Sequence, residues 1–205
     1  SCLPHWGDPP FPSAAPSGAI LFSPVRRYPA GMEIQLANHA LTALCAPHAA
    51  REEIAPLIAR LALQGPIQVL DGGNRFAGYR IMQHLRLLLP DPTPAIRRIF
   101  VRRAFTCYQV SAMLEETPAR PQPCLLLDML STFYDENVPL IEARRLLDCC
   151  LRQVERLSQA GSLLVTLTPP PSPERLCLVE RVSAAAQTFY SVETPVIPNL
   201  QPQLI

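Results

Sequence analysis

The chain has 205 residues, 48% of them hydrophobic and 17% charged, with a formal net charge of +1. That length suits one α/β domain with a substantial core, and the near-neutral charge excludes attraction of nucleic acid by global charge alone. All 18 basic residues are arginine, which excludes a phosphate-binding loop that depends on lysine and any Schiff-base chemistry.

Residues 1–31 read as one unit, a proline-rich arm, and residues 32–205 as the core domain. Pro4, Pro9, Pro10, Pro12, Pro16, Pro24 and Pro29 exclude a regular helix in the arm. Within it Ala19, Ile20, Leu21 and Phe22 form an apolar anchor suited to a partner or a second copy. The apolar run between Ile34 and Cys45 predicts the first strand. Ile54, Leu57, Ile58 and Leu61 recur at helical spacing before Gly65, with Pro56 marking a late start or a bend. Pro66–Asp71 reads as the second strand, and Asn74 as a cap for the helix that stops at Pro90. The third strand centres on Ile99–Val101. Thr106 caps the following helix, which ends near Thr117.

Cys124–Leu130 predicts a fourth strand, carrying an acid near its end. Pro139–Ala160 is the longest helix, apolar along one face and stopped by Gly161. Ser162–Thr168 is the fifth strand. The tail holds an apolar segment, RLCLVERV, and a β-rich segment, QTFYSVE. Strands alternate with helices and most strands are continuous apolar runs. The expected fold class is therefore α/β: a doubly wound, mostly parallel sheet covered by helices on both faces. The tail is expected to add an antiparallel edge.

The seven cysteines, Cys2, Cys45, Cys107, Cys124, Cys149, Cys150 and Cys177, contain no CxxC pair and read as free thiols of a reducing cytosol. The histidines, His5, His39, His48 and His84, are equally dispersed, so no zinc site is expected. No apolar run reaches membrane-spanning length, and the first residues lack the apolar core of a signal peptide. Arg97, Arg98, Arg102 and Arg103 are the candidates for nucleic-acid or anion contact, read against salt bridging at the sheet ends. Arg144, Arg145, Arg152 and Arg156 give the long helix a basic flank of the kind that is usually solvated.

Three blocks carry a resemblance to a known family. VLDGGNRFAGYRI (Val69–Ile81) is similar to the second-strand block of the RecA-type recombinase ATPase core, RRAFTCYQVSAML (Arg102–Leu114) to its Arg-Ala-Phe block, and PCLLLDMLSTFYDE (Pro123–Glu136) to its Walker B strand, with Asp128 in the place of the acid. Their order and spacing resemble the family over about Leu36 to Glu193. The resemblance implies a RecA-like fold and a place in DNA recombination or repair.

The departures from the family's pattern concern its chemistry. CAPHAAREE (Cys45–Glu53) stands where the resemblance implies a glycine-rich phosphate loop ending in Lys-Thr. It has no glycine for unusual backbone angles and no lysine. His48 and Arg51 could meet an anion at the helix start, opposed by Glu52 and Glu53. Gly73 stands where the family carries a catalytic glutamate, two residues after Asp71. TPPPSPER (Thr168–Arg175), in the place of a DNA-contacting loop, is poor in basic and aromatic residues. The expectation is a pseudo-ATPase without catalytic residues, cofactor or metal, with Asp128 as a structural strand-end acid. Such a protein would serve as a non-catalytic, cytoplasmic partner in a recombination or repair assembly. The alternative is a scaffold or regulatory subunit of an unrelated complex that uses the fold for its surfaces. A third class is an enzyme with a rebuilt pocket.

Overall fold

Pairing decides which of the expected strands are core and which are edge. The structure, a computed structural model, describes residues 26–27 and 34–191. The anchor Ala19–Phe22 lies outside the described residues. Seven parallel strands form one sheet: β1 (Arg26–Arg27), β2 (Leu41–Cys45), β3 (Ile67–Asp71), β4 (Ile99–Arg103), β5 (Cys124–Leu127), β6 (Leu163–Leu167) and β7 (Thr188–Ser191), in the order β1-β7-β2-β6-β5-β3-β4. Six are strands of four or five residues, and β1 is a two-residue edge piece on β7.

Helices cover both faces. On one side α1 (Arg51–Gln64), α2 (Gly78–Leu88) and the short α3 (Thr93–Ile96) bury Ile54, Ile58, Ile81 and Leu85 against Ile67, Val69, Leu125 and Leu127. On the other side α4 (Cys107–Glu116), α5 (Leu140–Ala160) and α6 (Leu176–Ala185) bury Val110, Leu147, Val154 and Val182 against Leu41, Leu70, Leu126 and Val165. Leu125 and Leu126 thus serve opposite cores. This period-2 split, with apolar residues on both sides, is why β5 reads as a continuous apolar run.

Several expectations are corrected. The tail is not an antiparallel edge: β7 pairs parallel with β2, Ala43 opposite Phe189. RLCLVERV is the reason. It folds as α6, and a helix between two strands returns the chain to run parallel. β2 begins at Leu41, because the stretch from Ile34 to Ala40 forms no strand. Asn74 is not a helix cap. It sits in a left-handed turn at φ 56°, and α2 begins later, after Ala77. β5 ends at Leu127, and Asp128 turns out of the strand at φ 48°. Arg97 and Arg98 precede β4 rather than belonging to it. Pro56 neither delays nor divides α1, which runs through it. Among the described residues no helix is long and apolar enough to cross a membrane.

Candidate functional site

Asp71 closes β3 and Asp128 follows β5, its neighbour in the sheet. The two acids therefore stand at the carboxyl ends of neighbouring strands, where open α/β sheets place their ligands. Both carboxylates are fully buried, and both are occupied by donors of the same chain.

Asp71 Oδ1 accepts the Arg75 backbone N–H at 2.7 Å, and Oδ2 accepts the Phe76 N–H at 3.1 Å and Arg103 Nε at 3.0 Å. The turn after β3 is thus tied to the strand-end acid. The parallel register sets Arg103 of β4 directly opposite Asp71. Asp128 Oδ1 accepts the Thr168 N–H at 3.0 Å, while Oδ2 accepts Arg75 Nε at 2.7 Å and the Thr168 hydroxyl at 2.9 Å. The Asp128 N–H in turn donates to Thr166 Oγ1 at 3.0 Å. Arg75 joins the two acids, one through its backbone and the other through its guanidinium. Each carboxylate uses three of its roughly four acceptor positions. To act as a proton acceptor or a metal ligand, either carboxylate would have to compete with a partly exposed arginine and with its backbone or hydroxyl donors for its remaining acceptor position.

The surroundings are apolar and protonated. The Cys45 thiol at the end of β2 is pushed up to about 11 by burial and by the nearby Asp128 charge. Burial raises the Tyr134 phenol as well, with Cys45 and Asp128 adding to it, and its hydroxyl donates to the Thr168 carbonyl at 3.0 Å. Cys45 is therefore a neutral thiol at physiological pH and is no nucleophile.

A cleft of about 430 Å³ opens beside this network, lined by Ala46, Pro47, His48, Ala50, Arg51, Glu52, Glu53 and Arg75. Its wall departs from the sequence expectation. Without a glycine, the segment before α1 still takes the left-handed conformation at three successive residues: His48 at φ 52°, Ala49 at φ 53° and Ala50 at φ 53°. Glu52, on the cleft wall, pairs with Arg80 of α2.

The four arginines read as contact candidates do not form one patch. Arg103 is held by Asp71 and Arg102 by Glu116. Arg98 donates to the carbonyls of Ala62 and Leu63 at the end of α1, and Arg97 is exposed. The flank of α5 is likewise engaged: Arg145 with Glu142, Arg144 with Cys177 Sγ, Arg152 with Cys149 Sγ, and Arg156 with the carbonyls of Leu114 and Thr117. Arg175 is buried and holds the carbonyls of Phe133, Asp135 and Val138. Sequence reasoning missed Arg75 and Thr168 as partners of Asp128. The Thr-x-Thr at the end of β6 was the available signal.

No family model matches the chain, and no curated protein is similar to it at a significant level.

Proposed function

We propose that this chain is a RecA-type fold without nucleotide hydrolysis, acting as a non-catalytic protein partner in a DNA recombination or repair assembly of the cytosol. The pathway rests on the resemblance of the three sequence blocks. The loss of the motor rests on the site. The observation that carries it is the occupation of Asp71 and Asp128 by Arg75, Arg103 and Thr168, in a chain with no lysine for phosphates. Gly73, where the resemblance implies a catalytic glutamate, lies against the Asp128 side chain. Glu52 and Glu53 place negative charge at the start of α1, where a phosphate would otherwise profit from free N–H groups. The six described cysteines are free thiols, in keeping with a reducing compartment.

In this reading the arm anchor Ala19–Phe22 seats on a protein partner. Isothermal titration with Mg-ATP tests the loss of the motor: the trace is expected to be flat, and a micromolar dissociation constant sinks the reading.

A further inference from the structure

β4 is the last strand of the sheet, and its outer edge meets no other strand among the described residues. Ile67 donates its N–H to the Arg98 carbonyl at the start of the β3–β4 ladder, and Ala104 donates to the Asp71 carbonyl at its end. A parallel ladder alternates. Phe100 and Arg102 therefore turn their backbone groups to β3, and Ile99, Val101 and Arg103 present theirs outward. Edges left in this state are ordinarily blunted. This one carries Arg102 and Arg103, but both are drawn into ion pairs with Glu116 and Asp71, and it exposes Phe100 at 56% and Val101 at 40%, with Phe105 just beyond at 68%.

We propose that a second copy of this chain pairs with this edge antiparallel, about a two-fold axis through Val101, joining the two sheets into one. The choice of occupant follows from self-complementarity. With Val101 opposite its own equivalent, Ile99 stands opposite Arg103 of the second copy, and all the outward backbone groups of β4 find partners. Phe100 falls opposite Arg102 of the second copy, on the same face of the joined sheet. The exposed Phe100 ring thus meets an arginine on each side of the two-fold axis, in a position for cation–π contact. Arg102 already gives an edge of its guanidinium to Glu116, which leaves its planar face for a ring. Arg103 is neutralised by Asp71, so the approach of two basic strands leaves fewer unbalanced charges than the sequence suggests. Two copies bring both halves of every contact, and the interface is closed, as two-fold symmetry requires. The proposal stands independently of the proposed partner role, because it uses neither the arm nor the cleft.

Light scattering on the full chain across a concentration series tests it, together with two variants. The wild-type chain is expected at the mass of two copies. Val101→Pro removes one outward N–H and leaves the ladder to β3 intact, so it is expected to stay folded and to run as a monomer, melting below the wild type only by what the lost association contributes. Should that variant fail to fold, Val101→Cys gives the answer. Facing residues of a hydrogen-bonded antiparallel pair lie about 5.5 Å apart at Cα, within disulfide reach. Mild oxidation is then expected to yield a covalent dimer that the wild type does not form. A wild-type chain that stays monomeric, an assembly larger than two, a folded Val101→Pro variant that still dimerises, or a Val101→Cys dimer that does not cross-link overturns the proposal.

Discussion

A Cβ placed on Gly73 would stand 2.5 Å from Cβ of Asp128 and 2.8 Å from its Oδ2. Real side chains do not approach so closely, and Asp128 is poorly placed to retreat, being held by Arg75 and Thr168. Gly73→Ala is therefore expected to cost about 1–3 kcal/mol, the usual range for forced overpacking, read as a lowered urea midpoint. Gly73→Glu is expected to cost more and to restore no hydrolysis, because the added carboxylate must first displace the acid beside it. An alanine variant as stable as the parent would contradict this packing.

Asp128→Asn tests the network from the other side. Both carboxylate oxygens accept hydrogen bonds. An amide keeps one acceptor and turns the other into a donor that faces either the Thr168 N–H or Arg75. The expected loss is about 2 kcal/mol, the scale of a hydrogen bond to a charged group, seen by chemical denaturation. Equal stability of the two proteins would mean that Asp128 is not held as described.

Alkaline pH loads the fold through its thiols. The unfolded chain releases each thiol proton near the ordinary value of 9.0, whereas burial holds Cys45 up to about 11. Cys124 and Cys150 are held up to about 12 by the same cause. The folded pKa is the higher one, so this stabilisation is complete below pH 9 and is lost as pH climbs toward 11 and 12. The slope is up to about 1.4 kcal/mol per pH unit for each thiol. Urea midpoints are expected to fall steadily above pH 9, and less steeply when Cys45, Cys124 and Cys150 are replaced by alanine. A flat profile across that window would show that these thiols do not titrate on unfolding.

The parts of this fold that can be read from sequence are those written in a single element. Ile67–Asp71 and Leu163–Leu167 are buried on both faces, so their apolar runs identify them without neighbours. The long α5 carries its stripe in its own periodicity. What depends on pairing is hidden. Ile99–Arg103 looks like another core strand, yet its place at the edge leaves Phe100 and Val101 exposed. The direction of β7 depends on whether RLCLVERV turns as a helix. In the site, the two acids are legible as strand ends. Their partners are not, because Arg103 reaches Asp71 through strand register and Arg75 reaches Asp128 across two elements.

The left-handed segment before α1 had no signature, since left-handed backbone is normally announced by glycine and this one contains none. Its strain is open to measurement. A left-handed residue other than glycine costs roughly 1–2 kcal/mol, and His48, Ala49 and Ala50 each adopt that conformation. The three positions should answer differently to glycine. Ala49 and Ala50 are buried, so removing the methyl forfeits about 0.8 kcal/mol of burial, and the freer unfolded chain takes about 0.5–1 kcal/mol more. Relief and loss then nearly cancel. His48 is exposed and forfeits little burial. His48→Gly is expected to gain roughly 0.5–1 kcal/mol, visible as a raised urea midpoint, with Ala50→Gly close to neutral. A His48→Gly variant less stable than the parent by more than about 1 kcal/mol would mean that the imidazole makes a contact outweighing the backbone strain.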